Sequence, residues 1–145
     1  MTSRYRYLEG IATADVEFEA WGATKEEAFL ASADATLNVM VEEIGTVAPR
    51  EHREISVVAD GLDLLLFEFL QEIVYHKDAG RLLLRVRDLQ IEETGDGYRL
   101  RAEGWGETID PGRHGLLADV KAVTLHRLVV EKTADGWRAV VVLDV

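Results

Sequence analysis

The sequence predicts an α+β domain: a mostly antiparallel, or mixed, β-sheet with two α-helices packed on it. Three observations predict it. Residues Asp15 to Trp21 alternate, with Val16, Phe18 and Ala20 set against Glu17 and Glu19, the period of a half-buried strand. Two later stretches instead space their apolar residues at helical intervals. The chain then returns to alternating segments separated by Gly- and Asp-rich turns, the pattern of hairpins.

Taken in order, Arg4 to Leu8 reads as a strand and Asp15 to Trp21 as a second, broken at Gly22. Thr24 opens a helix. With Glu27 three residues on, its hydroxyl can accept from the backbone N–H of Glu27 while Glu27 reaches back, as in a capping box. Phe29, Ala33, Leu37 and Met40 form one apolar stripe, and the helix should end before Gly45. Glu54 to Ala59 is a short strand with Ile55 and Val57 on one face. Asp60 is the expected N-cap of a second helix that runs to about His76, with Asp63 near the positive end of its dipole. Leu62, Leu65, Leu66, Phe69, Leu70, Ile73 and Val74 give that helix the broader apolar face and predict that it is the more deeply buried of the two. Leu82 to Glu92 and Tyr98 to Gly104 form a hairpin about Thr94-Gly95-Asp96-Gly97. Val120 to Lys132 and Trp137 to Val145 form another about Ala134-Asp135-Gly136. The continuous apolar run Val140-Val141-Val142-Leu143 predicts a central strand covered on both faces.

The chain has 145 residues, 48% hydrophobic and 30% charged, a globular composition that fits a single domain over residues 1–145. It holds no cysteine, which excludes disulfides and thiolate metal sites. No run of about 18 apolar residues offers a membrane-spanning helix, and the basic N-terminus lacks the apolar segment of a secretory signal. A cytoplasmic protein is expected. The formal net charge of −11 repels phosphate backbones, so strong direct binding to nucleic acid is not expected, whereas cations and basic protein surfaces suit it.

Several residues could carry chemistry. Asp144 directly follows the apolar last strand, where main-chain oxygens and a terminal carboxylate add donors; it reads as a cation ligand or as a solvated strand end. Asp15 opens the second strand and joins Asp144 only if the two strands meet at one edge of the sheet. Gly106 to His114 reads as a loop mixing Glu107, Asp110, Arg113 and His114, a place for function or a solvated connector. His114 and His126 could be ligands or proton carriers, or structural residues. Lys121 should lie on the face opposite Ala122 and Thr124. Nucleophilic catalysis finds no support: Ser32 falls in a helix and Ser56 in a strand, and there is no phosphate-binding glycine motif.

Together, Thr13-Ala14-Asp15-Val16, Gly22 to Phe29, Asp63 to Leu70, Gly106-Glu107 with Asp110, Arg113 and His114, Val120 to Thr124, and Val141 to Val145 resemble the archease family along almost the whole chain. The chain has Ala12 where the family usually has histidine, and Leu125 where it tends to have tyrosine. The resemblance implies a protein cofactor, not an enzyme, that activates RtcB. This RNA ligase joins ends bearing a 2′,3′-cyclic phosphate or a 3′-phosphate to 5′-hydroxyl ends in tRNA splicing and RNA repair. The archease speeds guanylylation of the ligase and allows multiple turnovers. The resemblance also implies a metal site, often calcium, at positions matching Asp15, Asp144 and Val145. A ligand set made of oxygen suits calcium, magnesium or manganese better than zinc. Asp110, Arg113, His114 and Lys121 are candidates for partner contact. Two other classes compete: a metal-dependent hydrolase using the same aspartates, and a chaperone-like interaction module whose metal is only structural.

Overall fold

The computed structural model describes residues 4–9 and 15–145. The expectations attached to Ala12 and to Thr13-Ala14 lie outside these residues. The elements are β1 (Tyr5–Leu8), β2 (Asp15–Gly22), α1 (Lys25–Met40), a 3-10 turn (Ile44–Thr46), β3 (Glu51–Ala59), α2 (Leu62–Gly80), β4 (Leu82–Glu93), β5 (Tyr98–Thr108), the one-turn helix α3 (Pro111–His114), β6 (Ala122–Val123), β7 (Val129–Thr133) and β8 (Gly136–Asp144). The class is α+β, as the alternation predicts, and all strand pairs are antiparallel. No helix among the described residues is long and apolar enough to cross a membrane.

The strands form two sheets rather than one. The larger runs β1-β2-β8-β6, with β7 also on β8, and the smaller runs β3-β5-β4. Val140 pairs with Glu19 on one side and Val129 on the other, so β8 is central. Val140, Val141, Val142 and Leu143 are all buried, as their unbroken apolar run predicts. The expected strand Val120 to Lys132 is in fact two short ones. Both lie on the same edge of β8, with a turn between them in which the Leu128 N–H reaches the Leu125 carbonyl and Arg127 takes a left-handed φ of 57°. The inward residues Val123 and Val130, opposite Leu143 and Ala139, are seven positions apart, so the alternation slips by one residue across the turn.

Both helices pack against both sheets. This reverses one expectation: ten of the sixteen residues of α1 are buried, against seven of nineteen in α2. The reason is side-chain size. Ala28, Ala31, Ala33 and Ala35 let strands approach α1 closely on several faces, so the helix needs no single broad stripe. The Thr24 hydroxyl accepts from Glu27 N–H at 3.1 Å, and the Glu27 carboxylate accepts from Ala23 N–H at 3.3 Å, close to the expected capping box. The N-cap of α2 is Gly61, not Asp60, and it provides no side-chain cap. That helix also runs four residues past His76. Lys77 is buried there, its ammonium donating to Asp78 at 2.5 Å, Asp119 at 2.6 Å and the Val120 carbonyl at 2.7 Å. Desolvation of the ammonium opposes its charge, but the two carboxylates prevail and raise its pKa. A lysine reads in sequence as a solvated position, so this anchor was invisible.

The core fills the space between the sheets. Phe18, Ala20, Ala139, Val141 and Leu143 line the inner face of the larger sheet, and Ile55, Leu83, Leu100 and Ala102 that of the smaller. Phe29 of α1 and Phe69 of α2 stack between them, ring centroids 6.2 Å apart. Fully burying side chains of this size contributes about 1.5–3 kcal/mol each. This rigid block fixes the position of β2 and β8, the strands that carry the aspartates.

Candidate metal centre

Asp15 and Asp144 are directly opposite each other in the β2–β8 ladder. In an antiparallel pair, opposite residues point to the same face, with Cβ atoms roughly 4.5–5.5 Å apart. Here that is the outer face of the larger sheet, because the adjacent Val16 and Leu143 turn inward. On its other edge Asp144 pairs with Ala122, and its carbonyl accepts from Lys121 N–H at 2.8 Å. Val145 follows immediately, half-buried against the core.

The carboxylates on the outer face of β2 lose their cationic partners one at a time toward this end. Glu19 is held by Arg138 Nε at 2.5 Å and Arg6 Nε at 2.8 Å, and these guanidinium groups, Arg138 foremost, lower its pKa. Arg138 also reaches Glu131 at 2.8 Å, so this charge row crosses four strands. Glu17 has one partner, Arg127 Nε at 3.2 Å. Neither Asp15 nor Asp144 has an ion pair or side-chain hydrogen bond among the described residues. Like charges directly opposite in a ladder destabilise it. Two facing aspartates without a counter-ion therefore form a place where a cation gains from both.

The donor set fits a hard divalent cation. It consists of oxygens only, and no group of three or more His, Asp or Glu with metal-binding geometry exists among the described residues. Calcium takes six to eight oxygens and magnesium keeps several waters, so two carboxylates and nearby main-chain oxygens make an open, weak site. Zinc, which prefers nitrogen and sulfur ligands in a closed tetrahedron, fits it poorly.

The other candidates are placed elsewhere. Gly106 to Thr108 belong to β5 rather than to a loop, and Asp110 caps α3, its carboxylate accepting from Gly112 N–H at 3.1 Å. His114 is 1% exposed with both ring nitrogens engaged. Nδ1 accepts from Asp110 N–H at 2.8 Å, so Nε2 carries the proton toward Glu107, 2.9 Å away. A histidine committed in this way orients a neighbour and presents no nitrogen to a metal or partner. Arg113 donates to the Thr46 carbonyl at 2.7 Å and pairs with Glu107 at 2.5 Å. The contacts of Asp110, Arg113 and His114 thus run to Glu107, to the 3-10 turn and to one another, not to Asp15 or Asp144. Lys121 stands at the aspartate end, exposed and without an ion pair among the described residues.

Glu107, named in the sequence only as one acid of a mixed loop, is 4% exposed and is the hub of this group. Besides Arg113 and His114 it accepts from Ala48 N–H at 2.7 Å and Arg50 Nε at 3.2 Å. The Arg113 guanidinium first, and the Ala48 N–H next, hold its carboxyl far below the usual range against the opposing effect of burial. The available signal was Gly104 and Gly106, alternate glycines that mark a close backbone approach. A Cβ on Gly106 would lie 1.7 Å from the Leu83 carbonyl oxygen.

Comparison with known proteins agrees with this architecture. Residues 5–145 match a model of the family described as the Archease protein family (MTH1598/TM1083). The chain is 39% identical over 134 residues to "Protein archease" of Pyrococcus abyssi, covering 92% of this chain and 94% of that one. The solution structure of Methanobacterium thermoautotrophicum protein 1598 superposes with a TM-score of 0.85 at 28% identity, covering 99% of this chain and all of that one. The crystal structure of a Thermotoga maritima protein, described as an archease and possible chaperone, superposes with a TM-score of 0.60 at 21% identity over 95% and 97% of the two chains.

Proposed function

This chain belongs to the archease family, and from that premise we propose that it is a cytoplasmic, metal-binding activator of the RNA-splicing ligase RtcB, with no catalytic step of its own. The observation that carries the proposal is the register: two aspartates about 130 residues apart in sequence face each other at the end of one strand pair, without a counter-ion among the described residues. Asp15 and Asp144, with main-chain oxygen of Val145, hold calcium, or magnesium or manganese in its place. Water or ligase groups complete the coordination. When bound, the ion supplies positive charge to a phosphate or carboxylate of the ligase. The chain's own contribution is to present it at the end of two paired strands, where the hydrogen-bonded ladder and the core beneath keep the two carboxylates in place. The net negative charge of the chain complements the basic RNA-binding cleft expected of an RNA ligase.

The test is guanylylation of a cognate RtcB by GTP, with and without this protein. Stimulation that is lost in Asp15→Asn and Asp144→Asn, while both variants stay folded, supports the proposal. Equal stimulation by the variants contradicts it. Protein and metal without ligase serve as the control, since phosphoester turnover there would favour the hydrolase reading.

The interaction-module reading has one observation of its own. Met40, Leu83, Ile109, Leu116 and Leu117 line a mainly apolar cavity of about 190 Å³, and Leu116 and Leu117 are exposed beside it. Binding of unrelated unfolded clients, unchanged by Asp15→Ala, would support that reading instead.

A further inference from the structure

The segment after α3 has a pinned backbone and bare side chains. Gly115, with a left-handed φ of 63°, turns the chain away from the buried pair of Glu107 and His114. Its carbonyl accepts from Glu42 N–H at 2.9 Å. Leu117 N–H donates to the Met40 carbonyl at 2.9 Å, and Ala118 N–H to the Val39 carbonyl at 3.2 Å. The end of α1 therefore holds this backbone in place, yet Leu116 and Leu117 are 44% and 61% exposed. They flank the apolar cavity of about 190 Å³, whose lining includes the buried Met40 and Leu83 with Ile109 and Ala118. An aliphatic cavity of roughly 150 Å³ accepts a benzene ring, so this one has room for the side chain of a leucine or a phenylalanine. Exposed apolar side chains beside a preformed cavity, with polar groups around them, mark a docking site.

The polar groups at the rim identify the occupant. Lys77 lines the cavity, but its three ammonium hydrogens are taken by Asp78, Asp119 and the Val120 carbonyl. It gives the cavity its methylenes and leaves no donor for an anion. The Asp78 and Asp119 side chains are more than half exposed, and each carboxylate keeps acceptor capacity beyond the lysine. The exposed Glu42 adds a third carboxylate, its Oε2 3.0 Å from where a Cβ on Gly115 would stand. These three outnumber Lys77 and the exposed Lys121, two residues past Asp119. A second copy of a chain at −11 is repelled from such a rim. A basic segment that carries one large apolar side chain suits both the rim and the cavity.

The cavity also adjoins the aspartate pair. Ala122, three residues past Asp119, is opposite Asp144, and Lys121 N–H donates to the Asp144 carbonyl. At most roughly 11 Å of chain separates Asp119 from Ala122, and a partner surface of ordinary size, about 800 Å², covers both places.

We propose that this cavity is the anchor for the ligase: a basic segment of its surface inserts one leucine- or phenylalanine-sized side chain beside Leu116, Leu117 and Met40, while its arginines or lysines meet Asp78, Asp119 and Glu42. The anchor holds the partner, and the neighbouring aspartates act on it. This rests on the activator reading above and gives that activator its docking surface.

The experiment is calorimetric titration of a cognate RtcB with the full chain in chelator, beside guanylylation at rising concentrations of the chain with calcium chloride present. The double variant Leu116→Ser/Leu117→Ser alters only exposed side chains, the backbone hydrogen bonds remain, and its thermal midpoint reports that it is folded. It should bind the ligase about tenfold or more weakly in chelator, the loss expected of an anchor in a pocket, and need correspondingly more protein for half-maximal stimulation. Leu117→Met keeps the apolar volume and should bind as the parent does. Parent-like affinity in the serine variant would overturn the anchor and leave the activator reading standing. Stimulation in calcium without binding in chelator would do the same, since all affinity would then lie at the aspartates. Weak binding by the serine variant together with full stimulation by Asp144→Asn would uphold the anchor and reject the cation reading. A parent that neither binds nor stimulates the ligase would overturn both. A parent dimer that the serine variant disperses would give the cavity to a second copy and overturn the inference.

Discussion

A single residue pair, Asp15 and Asp144, separates a metal reading from a structural one. If the facing carboxylates are structural, removing one should cost stability. If they await a cation, removing one relieves repulsion. Asp144→Asn should therefore raise the thermal midpoint in chelator by about 1–2 °C, the scale expected from a like-charge cross-strand pair in a domain of this size. It should also lose the rise that calcium gives the parent. Differential scanning calorimetry in the two buffers reads both effects, and a lowered midpoint in chelator would reject the interpretation. Glu107 is the opposite case, a carboxylate whose stabilising partners are all present. Glu107→Ala leaves Arg113, the His114 Nε2–H and the Ala48 N–H without their acceptor and should destabilise by about 3 kcal/mol. The pH dependence follows from its lowered pKa. The group is ionised in the folded protein at pH values where the unfolded chain, with an ordinary value of 4.5, takes up a proton. Its contribution is complete above pH 4.5 and shrinks as pH falls below it. Glu107→Gln should flatten the fall of the thermal midpoint between pH 4.5 and 2.5, and an unchanged slope would mean that other groups govern acid unfolding.

Among the elements, β4 and β5 depend on an approach that only glycine permits. Gly106→Ala should push the strand off Leu83 and displace Glu107 next to it, destabilising by about 3 kcal/mol or more. Urea unfolding measures this, and a change below about 1 kcal/mol would show that the strands can shift apart freely. The same elements show what was legible in the sequence. Alternation located β2 and the Thr94–Gly97 hairpin, and the unbroken apolar run marked β8 as central, because burial on one or both faces writes itself directly into hydrophobic spacing. The split into two sheets left no such trace, since each strand's pattern records that a face is buried but not against what. The role of α1 was hidden for a related reason. Alanine is neutral in a periodicity argument, yet a helix rich in it can be enclosed on several sides. Charged residues misled most: Lys77 and Glu17 stand where a solvated side chain is expected, yet both are buried and reach partners distant in sequence, Asp119 and Arg127. Within the site, Asp15 and Asp144 were each recognisable only as strand-end acids. Their juxtaposition depends on the β2–β8 register, which is a property of the fold.

At the scale of the whole molecule, the chain brings its first long strand and its last together at the centre of the larger sheet, and the pairing ends on two acids. A net charge of −11 steers such an edge away from RNA and toward a basic protein surface. Stimulation of the ligase should accordingly weaken as ionic strength rises, more through slower association than through slower chemistry. The most direct measurement of the central claim is multiple-turnover RNA ligation by a cognate RtcB at limiting ligase, with this protein or its Asp144→Ala variant added in excess. The account predicts many joined products per ligase with the parent protein, and no more than the unassisted ligase yields with the variant, although the variant remains folded. Full turnover with Asp144→Ala would contradict it.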